Sequence, residues 1–200
     1  MITRTVSTRR EARPEPPVTA AWLDRVATYY LDRYGASSEM LRRVLLRRVE
    51  RRCRSRDEDP GTQAGLIDET VVRAQRAGLV DDARFAAARL RGLRRRGTST
   101  RQAQARLAAK GIDAETIAAT LAEEREGAEG AEAGEPDTEE RAARAYARRR
   151  RLGPYRRPGT REANRERDLA AMARAGFSYG LARSVIGGEA EEDETSFGEE

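Results

Sequence analysis

Basic side chains concentrate in two clusters that are suited to binding a polyanion. A guanidinium group presents several N–H donors in a planar fork that matches a phosphate or a carboxylate. The first cluster comprises Arg89, Arg94, Arg95, Arg96, Arg101, Arg106 and Lys110. The second comprises Arg148, Arg149, Arg150, Arg151, Arg156 and Arg157, which surround Tyr155. We predict that both clusters contact a nucleic-acid backbone or an acidic protein surface; the alternative is a solvated, arginine-rich surface.

The charge distribution supports this prediction more than the net charge of +5 does. Positive charge is in excess in the predicted helical parts of the chain, whereas residues 127–140 and 186–200 are acidic. A basic helical body suits a nucleic acid or a nucleoprotein filament as its partner.

The residue inventory excludes several kinds of chemistry. The chain has no histidine, and Cys53 is its only cysteine. A typical zinc site, a Ser/His or Cys/His nucleophile pair and an internal disulfide therefore cannot form. We predict that the protein is not an enzyme, and that it has no catalytic residue, no metal and no cofactor. With no signal peptide and no membrane-spanning stretch expected, we place it in the reducing cytoplasm.

Asp81 and Asp82 resemble a pair of catalytic or metal-binding carboxylates. Adjacent residues at the start of a helix do not share a face, and no third ligand is near in the sequence. We therefore predict that one of them caps a helix.

Four aromatic residues, Trp22, Tyr29, Tyr30 and Tyr34, lie close together near the N-terminus. They could form a platform on which nucleic-acid bases stack, but their spacing fits core packing at least as well. We favour packing and expect Tyr29 to be the most exposed.

From Thr19 onward, apolar residues recur at spacings of three and four, which predicts amphipathic helices. We expect Gly35 to cap the C-terminus of the first helix, and Ser37 or Ser38 to begin the second. Residues 55–65 read as a polar connection. Because only 38% of residues are hydrophobic, small helical modules are favoured over one large core.

Internal repeats point to the same architecture. A leucine precedes Gly35 and Gly97 by four residues, and a serine follows each by two. The strings LAAKGID, from Leu107, and MARAGFS, from Met172, also match, with glycine ending one helix and Asp or Ser capping the next.

The repeats predict an all-α fold, an elongated and curved array of three tandem three-helix repeats with short glycine corners. The predicted repeats are residues 19–80, 81–126 and 139–187. A disordered arm (1–18), a flexible acidic linker (127–138) and a disordered acidic tail (188–200) are predicted to complete the chain.

The segment AGLVDDARFA, followed by RRRGTSTRQ and LAAKGID, resembles the central signature of the RecX family. The matching positions are Gly78, Leu79, Asp81, Asp82, Arg84, Phe85, Gly97, Leu107, Lys110, Gly111 and Ile112. Residues 55–65, the linker around Gly127 to Pro136 and the break at Gly153, Pro154 and Tyr155 depart from compact members of that family.

The resemblance implies a monomeric regulator of the RecA recombinase in DNA repair and the SOS response. It would bind RecA and its filament on single-stranded DNA, contact that DNA weakly or through the filament, and mostly inhibit recombinase, ATPase and co-protease activity. The alternatives are a helical DNA-binding module that acts without RecA and an adaptor with no nucleic-acid role.

Overall fold

The computed structural model describes residues 15–129 and 137–189. All regular structure within these residues is helical, which confirms the predicted all-α fold. The α-helices are α1 (Ala20–Leu31), α2 (Ser38–Arg54), α3 (Ala64–Arg76), α4 (Asp82–Arg95), α5 (Thr100–Ala108), α6 (Ala114–Glu129), α7 (Thr138–Arg150), α8 (Arg165–Arg174) and α9 (Tyr179–Gly187). The chain divides into two compact units between Asp81 and Asp82. The predicted elongation and curvature of the array stay predictions.

The first unit packs α1, α2 and α3 around one core, to which Leu23, Leu45 and Val71 contribute buried side chains. Apolar residues at helical spacing form this core because each amphipathic helix buries its stripe against the other two. The hydroxyl of Ser37 accepts the Met40 N–H at 3.1 Å, so Ser37 rather than Ser38 caps α2.

The prediction that Gly35 caps α1 is wrong. The helix ends at Leu31 and its C-cap is Asp32, while Gly35 does not adopt a positive φ. The N–H of Asp32 donates to the carbonyl of Thr28, and the N–H of Tyr34 donates to that of Tyr30. The carbonyls of Thr28 and Tyr30 thus have backbone donors from residues of ordinary conformation, and they need no left-handed residue.

The connection between α2 and α3 is ordered and spans residues 55–63, since the last two residues of the predicted connection belong to α3. It contains a 3-10 helix, Pro60–Gln63, whose start is stabilised because the Asp59 carboxylate accepts the Gly61 N–H at 2.8 Å. Arg56 donates to the carbonyl of Glu15 at 2.8 Å, which holds the end of the predicted N-terminal arm against the first unit. The rest of that arm, residues 1–14, lies outside the described residues.

The second unit has two buried cores. Helices α4, α5 and α6 enclose Leu90, Leu107 and Leu121, and we call them the second bundle, the helices of the first unit being the first. Helices α7, α8 and α9, the third bundle, enclose Met172, Ile186 and neighbouring apolar side chains. Helix α7 also packs against α4 and α6, which joins the two bundles.

Two glycine corners lie where these bundles meet. Gly97 has φ +69°, and a Cβ there would be 2.3 Å from the backbone nitrogen of Tyr146 on α7. Gly176 has φ +88°, and a Cβ there would be 2.7 Å from the hydroxyl of Ser99. Both the backbone conformation and the close approach therefore require glycine.

The break at Gly153 interrupts the third bundle without removing a helix from it. The chain forms a 3-10 helix over Gly153–Tyr155 and another over Glu162–Asn164 before α8 begins. Helix α6 continues to Glu129, inside the segment predicted as a linker. Most of that linker and of the acidic tail, residues 130–136 and 190–200, lies outside the described residues. Each described helix is too short or too polar to cross a membrane.

Candidate polyanion interface

Exposed arginines converge on one face of the third bundle. Arg149, Arg150 and Arg151, at the C-terminal end of α7, line a cavity of about 440 Å³ together with Arg167 and Arg174 on α8. These five side chains are exposed, and none makes a side-chain hydrogen bond or ion pair in the part of the chain that the structure describes. We call these five residues the α7–α8 basic face.

Local structure accounts for the position of these arginines. Cations are favoured at a helix C-terminus because the last carbonyls carry partial negative charge, and α7 ends in a run of arginines. Arg151 follows as the C-cap in the left-handed conformation, with φ 54° and ψ 54°. Leu152 is then buried in the core, which anchors the turn.

Arg156 also lines this cavity, but its guanidinium group is engaged in an ion pair with Asp168. Its Nε and Nη2 atoms donate to the two carboxylate oxygens of Asp168 at 2.7 and 2.6 Å. The Gly153 N–H donates to the same carboxylate at 2.8 Å. Burial opposes ionisation of Asp168, yet these hydrogen bonds and the charge of Arg156 hold the pKa of its carboxyl below the usual range. Arg156 therefore fixes the turn after α7.

The basic face continues into two neighbouring clefts. Toward the second bundle, Arg149, Arg150 and Arg174 border a cleft that also holds Gln102 and Tyr146. On the other side, Arg151 shares a cleft with Tyr155 and Arg157. Tyr155 is half-buried against the core, whereas Arg157 is exposed.

Arg94 is placed differently from its predicted cluster. Its side chain is only 11% exposed and lies between Glu124 on α6, at 2.8 Å, and Glu139 on α7, at 2.7 Å. It also donates to Thr98 and Thr100. Burial disfavours the charged form, but hydrogen bonds to the two glutamates raise the pKa of Arg94 above its ordinary value. These contacts give Arg94 an internal role, so we remove it from the candidate interface.

The remaining members of the first predicted cluster do not line the cavity of the basic face. The exposed members include Arg89 on α4, Arg96 directly after α4, and Arg101 and Arg106 on α5. Lys110 is half-buried at the end of α5. Arg95 lines another cleft, of about 690 Å³, with Arg148, and Arg94 also borders it, so the structure brings residues of both predicted clusters together there.

Sequence reasoning missed Arg167 and Arg174. They lie on the same side of α8 because residues seven apart in a helix are separated by almost two full turns. That spacing was visible in the sequence, but only the fold shows that this side of α8 faces the end of α7.

The carboxylate pair and the cysteine considered in the sequence analysis lie at the start of a helix and in a core. The described residues hold no group of three or more Cys, Asp or Glu side chains that could bind a metal ion. Asp81 directly precedes α4 and Asp82 is its first residue. Cys53 is buried in the first core, and burial raises the pKa of its thiol, so the reactive thiolate is disfavoured.

Comparison with known proteins identifies close relatives. The family model described as "RecX, second three-helix domain" matches residues 81–121. A protein named Regulatory protein RecX from Myxococcus xanthus is 41% identical over 181 residues, which cover 89% of this chain and 92% of that protein. A protein of the same name from Agrobacterium fabrum is 29% identical over a match that covers 87% of this chain and 86% of that protein. Another, from Mycobacterium sp., is 36% identical over a match that covers 70% of this chain and 76% of that protein. No solved structure matches the chain significantly.

Proposed function

The chain belongs to the RecX family of regulatory proteins, and from this premise we propose that it regulates RecA by binding RecA filaments on single-stranded DNA. The α7–α8 basic face makes the contact, and it binds an acidic surface of RecA and the phosphates of the DNA together. Binding destabilises or caps the filament and so inhibits ATP hydrolysis, strand exchange and co-protease activity. The protein acts as a cytoplasmic monomer in DNA repair and the SOS response, without catalytic chemistry of its own.

One observation carries this assignment of the site. In the same bundle Arg156 is held by a buried carboxylate, whereas the five arginines of the basic face form no ion pair among the described residues. Arg167 has only a longer-range electrostatic interaction with that carboxylate. Like charges crowded on one surface repel each other, and a polyanion relieves that repulsion. Forked guanidinium groups suit phosphate oxygens and carboxylates equally, which fits a filament that presents both.

The same face favours a second candidate function, a DNA-binding module that acts without RecA. Exposed arginines neutralise phosphates on any nucleic acid, and such binding weakens steeply as salt rises. The two functions differ in stoichiometry. A filament regulator acts when it is far too dilute to cover the DNA, whereas a DNA-binding module acts only as the DNA becomes saturated.

The test is a titration of RecA ATP hydrolysis on single-stranded DNA, set beside a binding curve on the same DNA without RecA. We expect inhibition well below saturation of the DNA. The triple variant Arg149→Glu, Arg150→Glu, Arg174→Glu is expected to lose inhibition. The matched control reverses three exposed arginines of α2, Arg47, Arg51 and Arg54, and is expected to inhibit normally. Equal inhibition by the two triple variants would refute the role of the basic face, and inhibition that only follows DNA saturation would favour the second function.

A further inference from the structure

The first unit contains a cleft of about 680 Å³ with an unusual concentration of aromatic side chains. Trp22, Tyr29, Tyr30 and Tyr34 all line it. The whole chain has one tryptophan and six tyrosines, so this cleft holds the only tryptophan and half of the tyrosines. Every charged side chain in its lining is an arginine, from Arg25 and Arg33 on the α1 side and Arg48 on α2.

Core packing explains only part of this group. Trp22 and Tyr30 pack against the core of the first unit. Tyr29 and Tyr34 are 60% and 58% exposed, which confirms the expected exposure of Tyr29 and adds Tyr34 to it. Leaving such large rings in water forgoes the free energy that burial would provide. These two residues therefore suggest a surface that another molecule covers.

Neighbouring side chains hold the rings in place. The guanidinium carbon of Arg33 lies 3.8 Å from the centre of the Tyr29 ring, and that of Arg52 lies 4.1 Å from the centre of the Trp22 ring. The ring centres of Tyr30 and Tyr34 are 5.3 Å apart. An arginine stacked on an aromatic face reduces the freedom of both groups, so less entropy is lost when a ligand binds.

The chemistry of the lining favours one kind of ligand. Flat aromatic rings stack with unpaired bases, and arginines beside them bind the connecting phosphates. Duplex DNA fits poorly because its bases are already stacked and paired. A lipid surface would require an apolar face that is free to enter the bilayer interface, whereas Trp22 and Tyr30 pack against the core here.

We propose that this cleft binds single-stranded DNA by stacking unpaired bases on its aromatic side chains. The site is distinct in its residues from the α7–α8 basic face and supplies base contacts that arginines alone do not make. The inference deepens the proposed function, and it rests on that function for taking the single-stranded ligand to be DNA.

Trp22 provides a direct test because it is the only tryptophan of the chain and lies in the cleft. The full chain is titrated with oligothymidylate of about 12 nucleotides, and with an abasic strand of equal length and charge. We expect thymidylate to quench Trp22 fluorescence and to bind about 10-fold more tightly than the abasic strand, since only the former has bases to stack. Equal affinity for the two strands would overturn the proposal, and this test needs no variant of the protein.

Variants locate the contact. The double variant Tyr29→Ala, Tyr34→Ala removes two exposed rings and leaves the core intact, and we expect its affinity for thymidylate to fall at least about 10-fold. The double variant Tyr29→Phe, Tyr34→Phe keeps the rings, so its affinity should stay within about 2-fold of the parent. Tyr179→Ala, which removes a ring 66% exposed in the second unit, is the matched control and should bind normally. Thymidylate binding by the double alanine variant as tight as that of the parent would refute the site.

The two proposals can fail separately. Inhibition of RecA by a protein whose thymidylate binding does not depend on these tyrosines would refute the aromatic site and leave the proposed function standing. Tyrosine-dependent thymidylate binding by a protein that leaves RecA unaffected would refute the proposed function and support the site.

Discussion

Arg94 and Glu139 form an ion pair of 2.7 Å that joins the last turn of α4 to the first turn of α7. Glu139 also accepts the backbone N–H of Thr100 at 2.9 Å, so a single carboxylate ties together the end of α4, the start of α5 and the start of α7. Glu124 on α6 pairs with the other side of the same guanidinium. The contact between the two bundles of the second unit is therefore electrostatic as well as apolar.

The substitution Arg94→Met should destabilise the second unit by about 3 kcal/mol, because it leaves two largely buried carboxylates without their cation. Urea denaturation followed by circular dichroism measures the change. Arg95→Met removes the adjacent, exposed arginine and should cost less than about 0.5 kcal/mol. Equal unfolding midpoints for the two variants would show that the Arg94 ion pairs contribute no net stability.

The substitution Gly97→Ala should destabilise the protein more than alanine at another left-handed glycine. Gly159 has φ +78°, and a Cβ added there would meet no atom within 4 Å, so Gly159→Ala should cost only the backbone penalty, about 1 kcal/mol. At Gly97 a Cβ would also meet the backbone of α7, and overpacking should add about 2 kcal/mol. Urea unfolding of both variants gives the difference, and equal costs would mean that α7 can move away freely.

Asp168 should make the stability of the second unit depend on acid pH. Because the pKa of its carboxyl is lower in the folded than in the unfolded protein, its stabilisation is complete above the unfolded value, about 3.9, and is lost as the pH falls through the folded value. The substitution Asp168→Asn should cost about 2 kcal/mol at neutral pH and flatten the acid limb of the stability curve. Unfolding midpoints between about pH 3 and 7 measure both. An unchanged acid limb would assign the dependence to other carboxylates.

Much of the fold follows from local signals in the sequence. Helical spacing identifies the amphipathic helices, and Ser37 and Ser99 cap α2 and α5 because a serine hydroxyl accepts an N–H only a few residues ahead. The prediction for Gly35 failed because a glycine after a helix indicates a left-handed cap only when the last turn of the helix leaves its carbonyls unsatisfied.

The candidate site was less predictable, because whether an arginine is free depends on partners distant in the sequence. Arg94 lies 30 residues from Glu124 and 45 from Glu139, and nothing around it in the sequence distinguishes it from Arg95. The same holds for Tyr29 and Tyr34, whose helical spacing is equally compatible with a core. Exposure is a property of the packed structure, which periodicity alone does not specify.

The α7–α8 basic face should determine how steeply binding to single-stranded DNA depends on salt. Each phosphate contact on a single strand contributes about 0.7 to the slope of log K against log salt concentration, because binding releases condensed counterions. If Arg149, Arg150 and Arg174 each contact a phosphate, replacing all three by Gln should lower the slope by about 2.

The measurement is fluorescence anisotropy of labelled oligothymidylate over a range of salt concentrations. The control variant carries Gln at Arg47, Arg51 and Arg54, loses the same charge and should keep the parental slope. Parallel salt plots for the parent and the α7–α8 variant would show that the face does not bind DNA phosphates. If that variant also fails to inhibit RecA, the arginines must contact the protein of the filament, since a lost protein contact abolishes inhibition without changing the salt dependence of naked-DNA binding.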